Sequence, residues 1–113
     1  TLAAAHCAMR GAKDQWQSTI ELHDQILLAV QVETSSTDAE LRTLHFYLVS
    51  AAQAGSPPAA GGALQLQTGG TVEQDAQFDE SSEAILLDVL PGTFQLRLRL
   101  AGEEYVVEEF VIP

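Results

Sequence analysis

The sequence predicts an all-β fold, arranged as an antiparallel two-sheet sandwich of seven or eight strands. From Trp16 onward, apolar and polar residues alternate with a period of two, which places every second side chain on a buried face. Turn-forming segments interrupt this alternation at intervals of about a dozen residues, and no helical pattern lies between them. Short strands with that spacing are typical of a sandwich or barrel.

The first fifteen residues differ from the rest of the chain. They are rich in Ala and poor in β-branched residues, which favours a short N-terminal helix or an arm. The chain is therefore expected to consist of an arm or short helix at 1–15 and a single β-sandwich domain at 16–113. A length of 113 residues suits one hydrophobic core.

Each strand candidate is bounded by a turn or a loop. His23-Asp24 ends the first strand, the polar residues 34–40 separate the second from the third, and the Pro- and Gly-rich residues 54–62 form the clearest loop. The predicted strands are residues 16–22, 25–33, 41–52, 63–68, 71–78, 84–90, 94–100 and 104–112.

Between the sixth and seventh of these strands lies Leu90-Pro91-Gly92-Thr93. Pro followed by Gly is preferred at the centre of a type II turn. Such a turn twists the wrong way for a tight hairpin, so we expect a corner where the chain crosses between sheets.

The last two strands are predicted to form a hairpin that turns at Ala101-Gly102. Its outer face would carry a charge ladder of Arg and Glu side chains. In the final strand, Tyr105 and Val107 have one parity and Phe110 and Ile112 the other, and a bulge near Glu108-Glu109 would place all four on the same face. The predicted pairs are Leu100 with Glu103, Arg99 with Glu104, Leu98 with Tyr105 and Arg97 with Val106.

Residues 84–112 contain a strand, the Leu-Pro-Gly-Thr corner, an aromatic residue, an alternating strand and a final hairpin. In this order they resemble the closing strands of immunoglobulin-like, fibronectin type III and transthyretin-like sandwiches. The resemblance implies the fold and no particular ligand. Two features depart from an antibody-type domain: Phe94 lacks the hydroxyl of a tyrosine corner, and the single cysteine, Cys7, excludes a disulfide framework.

The chain is strongly acidic, with 16 Asp and Glu against 5 Lys and Arg and a formal net charge of −11. This charge repels phosphate backbones and anionic lipids, so we expect no nucleic-acid binding. No apolar run approaches the roughly 18 residues that cross a membrane, so no membrane span is expected. A basic protein partner or a cation would suit the charge.

No motif of an enzyme is present. The serines lack the context of an activated nucleophile, and the glycine doublets lack the helix that follows a phosphate-binding loop, so we predict a non-enzyme without a cofactor. His6, Cys7 and Met9 could suit a soft metal such as copper, although polar residues in a loose N-terminal segment are the preferred interpretation. His45 is expected at the surface or rim of a sheet.

An acidic cluster is the main candidate for a metal site. Carboxylates in loops of β-sandwiches can bind Ca²⁺, but the spacing of a calcium loop is absent, so a solvated edge is the alternative that we prefer. The candidate ligands are Glu73, Asp75, Asp79, Glu80 and Glu83.

We therefore expect a non-catalytic binding or assembly module that presents loops or sheet edges to a protein partner outside the cytoplasm, in the periplasm, at the cell surface or secreted. The first alternative is a structural subunit of a pilus, filament or virion that self-assembles. A calcium or copper carrier is the third possibility.

Overall fold

A computed structural model describes the backbone of residues 2–7, 10–12, 15–22, 26–50, 62–100 and 103–113, and the side chains of these ranges from residue 15 onward except residue 50. The described backbone is all β-structure and turns, with no helix. Its strands are β1 (Leu2–Cys7), β2 (Arg10–Ala12), β3 (Gln15–Glu21), β4 (Ile26–Thr34), β5 (Arg42–Ser50), β6 (Ala63–Thr68), β7 (Thr71–Gln77), β8 (Glu83–Val89), β9 (Gly92–Leu100) and β10 (Glu103–Ile112).

The strands from β3 to β10 form two antiparallel sheets. Sheet A has the order β10-β9-β6-β7, and sheet B has the order β3-β4-β5-β8. β2 extends sheet B beside β3, whereas β1 extends sheet A by pairing parallel to β10. The predicted all-β, two-sheet sandwich is confirmed.

In the predicted arm or short helix at residues 1–15, the described backbone consists of two extended segments, Leu2–Cys7 and Arg10–Ala12. Both segments lie at sheet edges, and a free edge offers unpaired N–H and C=O groups that an extended segment can satisfy. The arm or short helix stays a prediction. The remaining residues of 1–15, and the side chains up to residue 14, lie outside the described part.

The core is a layer of apolar side chains between the two sheets. Along β3, β4, β5 and β9, alternate residues are the more buried ones and point into this layer, which is the period-two pattern that predicted the strands. The largest side chains that are fully enclosed are Phe46, Phe110, Leu28, Leu44, Leu64, Leu66, Leu86, Leu96, Leu98, Leu100, Ile112 and Val30.

The Leu-Pro-Gly-Thr corner carries the chain from sheet B to sheet A, as predicted, because it joins β8 to β9. The predicted turn type is wrong. Gly92 has a φ of 157°, whereas the third residue of a type II turn has a φ near +80°. The nearest residue with a φ in the left-handed region is Asp88, inside β8, with a φ of 57°.

Asp88 belongs to a β-bulge in β8. The ladder with β5 pairs Leu44 with Leu86 and then Arg42 with Val89, so β8 holds one extra residue between these pairs. The extra residue changes the parity of the strand and returns Val89 to the core, where it is 4% exposed.

The β9–β10 hairpin has the predicted register. Leu100 pairs with Glu103, Arg99 with Glu104, Leu98 with Tyr105 and Arg97 with Val106. The register shifts between Val107 and Phe110, so the bulge predicted near Glu108-Glu109 is also confirmed. The turn residues 101–102 lie outside the described part, as do residues 54–61 of the predicted loop.

Gly69-Gly70 forms the tight turn of the β6–β7 hairpin. Their φ values of 57° and 84° are both positive, as a two-residue type I′ turn requires.

Candidate functional site

The five acidic candidates lie along β7, the following turn and the start of β8. Glu73 and Asp75 are exposed on β7, and Glu80 is exposed in the turn. The Asp79 carboxylate has a local structural role, because its Oδ1 accepts hydrogen bonds from the backbone N–H of Ser81 (2.8 Å) and of Glu83 (3.0 Å). In the part of the chain that the structure describes, no three Asp, Glu, His or Cys residues are placed to hold a metal ion together.

The histidine candidates are only partly described. The side chains of His6, Cys7, Met9 and His23 lie outside the described part. His45 lies on β5, where its Nε2 is 3.1 Å from Glu33 Oε1 and its ring stacks on Tyr47 with the centroids 6.4 Å apart. It is half-buried on the outer face of sheet B, which agrees with the expected surface or rim position.

The outer face of sheet A is a connected set of polar side chains. Arg97 Nη1 donates to Glu104 Oε1 at 3.1 Å, and Arg99 Nη2 lies 3.7 Å from Glu104 Oε2. Arg97 Nε also donates to Gln95 Oε1, and Gln95 Nε2 donates to Glu108 Oε2.

Arg97 and its neighbours border a cleft of about 280 Å³ on this face. The charged and amide side chains around the cleft form hydrogen bonds and ion pairs with one another. The charge ladder predicted for the hairpin therefore consists of contacts within the chain. Val106, opposite Arg97 in the ladder, is buried, and the aliphatic part of an arginine can cover such apolar surface.

A second arginine with a structural role is Arg42, which the sequence did not single out. Its Nε donates to Pro113 O at 2.8 Å, and its Nη1 donates to Ala39 O at 2.9 Å and to Leu41 O. The guanidinium also lies 5.2 Å from the centre of the Trp16 ring. Arg42 thus connects the end of the chain, the β4–β5 loop and β3.

The outer face of sheet B is different, because apolar side chains project from it. We call Leu27, Tyr47, Val49, Ile85 and Leu87 the sheet B apolar face. Val49, Ile85 and Leu87 have exposed fractions of 49%, 51% and 60%, and Leu27 and Tyr47 are half-buried.

The strand register shows how the members of the sheet B apolar face are arranged. Leu27 is paired with Val49 across β4 and β5, and Ile85 is paired with His45 across β8 and β5. Diagonal neighbours on one face are also within reach of large side chains. The apolar residues therefore lie over β4, β5 and β8, with His45 and Glu83 among them. The next strand, β3, presents Gln15, Gln17 and Thr19.

β8 is the edge strand of sheet B, and its edge is closed in two ways. The bulge at Leu87 and Asp88 interrupts the regular strand. In addition, the Gln74 side chain reaches across from β7 and donates from Nε2 to the Leu87 carbonyl at 2.7 Å. Bulges and covered backbone groups are common means of preventing edge-to-edge pairing.

The sequence of β8 contains a signal for this face. The stretch AILLDVL has apolar residues at both parities of the strand. The structure buries Ala84 and Leu86 and leaves Ile85 and Leu87 on the outside. An edge strand with apolar residues on both faces is the signal that could have identified the outer pair.

Comparison with family models, with curated proteins and with solved structures finds no match to this chain. The described residues contain no helix with the length and apolar character to cross a membrane.

Proposed function

We propose that the protein is a non-catalytic binding module that presents the sheet B apolar face to a protein partner, outside the cytoplasm. The observation that carries this proposal is the exposure of Val49, Ile85 and Leu87 on one face of sheet B, where Ile85 is a diagonal neighbour of Tyr47. Several exposed apolar side chains on one sheet face, with polar residues around them, are typical of protein–protein contact sites.

The free energy gained by burying these apolar side chains suits a broad protein surface as the partner. Burying the exposed half of a Val, Ile or Leu side chain contributes about 1 kcal/mol. Association itself costs several kcal/mol in lost freedom, so the apolar face needs additional contacts around it to form a stable complex. A broad protein surface supplies such contacts.

The polar face of sheet A supports the same assignment by contrast. Its arginines and carboxylates already bond one another, so a partner would have to break these pairs before it gained new ones. A contact on sheet B breaks fewer such bonds, because the side chains that it would cover are mainly apolar.

The location outside the cytoplasm is supported by the resemblance of residues 84–112 to immunoglobulin-like and related sandwiches, a group that includes many cell-surface domains.

The test is site-specific photo-crosslinking in the cells that produce the chain. A photo-reactive amino acid placed at Val49 or Leu87 should form a crosslink to a defined partner protein. The same amino acid at Val111, which is 37% exposed on β10 of sheet A, is the matched control and should not.

The partner identified in this way is then purified, and its dissociation constant is measured with the wild type, with Ile85→Ser/Leu87→Ser and with Val111→Ser. We expect the double substitution to weaken binding strongly and Val111→Ser to have no effect. Equal affinities of the three proteins would contradict the proposal. Crosslinks only between copies of the chain would favour the structural subunit instead.

A further inference from the structure

The register of sheet B places carboxylates around the apolar face. Glu21 of β3 is paired with Leu27 of β4, and Glu83 of β8 is paired with Tyr47 of β5. Glu33 is paired with Thr43 towards the other end of the sheet. The side chains described on this face include no Lys and no Arg.

This charge distribution selects among possible occupants. A second copy of the chain, docked by the same face around a two-fold axis, would bring one acidic rim against another. Like charges facing each other across an interface oppose association. The net charge of −11 adds a long-range repulsion between copies.

The edge of β8 argues against a partner that adds a strand to the sheet. Strand addition requires a regular edge with available backbone groups. Here the bulge at Leu87 and Asp88 breaks the ladder, and the Leu87 carbonyl is occupied by Gln74. A partner therefore contacts the side chains of the face and does not extend the sheet.

We infer that the sheet B apolar face docks a different protein whose contact surface has an apolar centre and a rim of Lys or Arg, packed flat on the outer face of sheet B. This inference rests on the proposed function and adds the chemistry of the partner. The apolar centre meets Tyr47, Val49, Ile85 and Leu87, and the basic rim meets Glu21 and Glu83.

The probe for the experiment is a synthetic amphipathic peptide with a Leu face flanked by Lys, and the matched peptide carries Glu in place of Lys. Binding to ¹⁵N-labelled protein is followed by NMR at low and at raised salt. We expect the Lys peptide to shift the amide signals of β5 and β8, to lose affinity as salt rises, and to bind better than the Glu peptide.

The acidic rim is tested with Glu21→Gln and Glu83→Gln. Each should weaken binding of the Lys peptide roughly two- to fivefold at low salt, as expected for an exposed ion pair. Glu73→Gln and Glu108→Gln, at exposed positions on β7 and β10, are the controls and should leave the affinity unchanged.

Equal binding of the two peptides would overturn the inference. So would NMR shifts in the strands of sheet A, or sedimentation that shows dimers formed through the sheet B apolar face. Failure of this experiment is distinct from failure of the proposed function. A crosslinked partner at Leu87 combined with equal peptide affinities would leave the binding module in place and remove only the basic partner.

Discussion

The outer faces of sheets A and B differ although their inner faces are alike. Both inner faces consist of alternate apolar residues, and both contribute fully enclosed leucines. The outer face of sheet A carries Arg97, Arg99 and Glu104, which pair with one another. The outer face of sheet B carries Ile85 and Leu87, which the rest of the chain leaves exposed.

The contacts within the chain separate the residues that the fold needs from those that it does not need. The polar groups of sheet A form contacts within the chain, so their presence is explained by the fold alone. The apolar residues of sheet B gain little from the fold, because Val49, Ile85 and Leu87 keep 49%, 51% and 60% of their surface exposed to water. A partner that covers them explains their presence.

Two neighbouring leucines of β8 should differ most in the stability that is lost when each is truncated. Leu86→Ala should destabilise the protein by about 2–5 kcal/mol, because Leu86 is 2% exposed and its truncation opens a cavity. Leu87→Ala should cost less than about 1 kcal/mol, since the truncation removes little buried apolar area. Urea denaturation of both variants measures the two values, and equal losses would place Leu87 in the core.

Arginine substitutions extend the comparison to charged residues. Arg42→Ala should cost about 1.5–3 kcal/mol, because it removes charged donors from three backbone carbonyls. Arg99→Ala should cost about 0–1 kcal/mol, because the Arg99 side chain is 76% exposed and lies 3.7 Å from its partner. The same denaturation assay decides this, and a larger loss for Arg99 would reverse the roles that the structure gives them.

The turn that leads from β7 to β8 offers a stabilising change. Ser82 has a φ of 61°, and its buried Oγ has no hydrogen-bond partner among the described residues. Ser82→Gly relieves the positive φ and removes the unsatisfied hydroxyl, at the expense of a more flexible unfolded chain. We expect a gain of up to about 1 kcal/mol in thermal or urea unfolding, and a clear loss would show that the hydroxyl has a structural role.

The smallest effect is the coupling within the polar face of sheet A. A double-mutant cycle of Arg97→Ala and Glu104→Ala should give about 0.2–1 kcal/mol, because both side chains are partly exposed. A coupling well above this range would mean that the outer face of sheet A is shielded from water in solution. The two outer faces would then not differ in the way proposed here.

Most of the fold follows from local pattern. The alternation from Trp16 onward predicts the strands from β3 to β10, and the spacing between Arg99 and Glu104 predicts their pairing across the hairpin. The exposed face does not follow from the same pattern. Apolar residues at both parities of β8 suit a core strand or an edge strand equally, and the choice depends on the order of strands in the sheet.

The candidate metal ligands illustrate the same limit. Glu73 and Asp75 are exposed two residues apart on β7, whereas the Asp79 carboxylate is engaged by two backbone N–H groups of the following turn. The contacts of Arg42 were also outside the reach of sequence reasoning, because Pro113 lies 71 positions further along the chain.

We propose that a partner covers the outer face of sheet B and leaves the outer face of sheet A exposed. Carbene footprinting of the chain in its native extract and after purification tests this directly, because the label reports the exposure of individual side chains. Labelling of Val49, Ile85 and Leu87 should fall sharply in the native extract, while labelling of Val72 and Val111, which are exposed on sheet A, should stay the same. Equal labelling of Ile85 and Leu87 in the two samples would contradict the account.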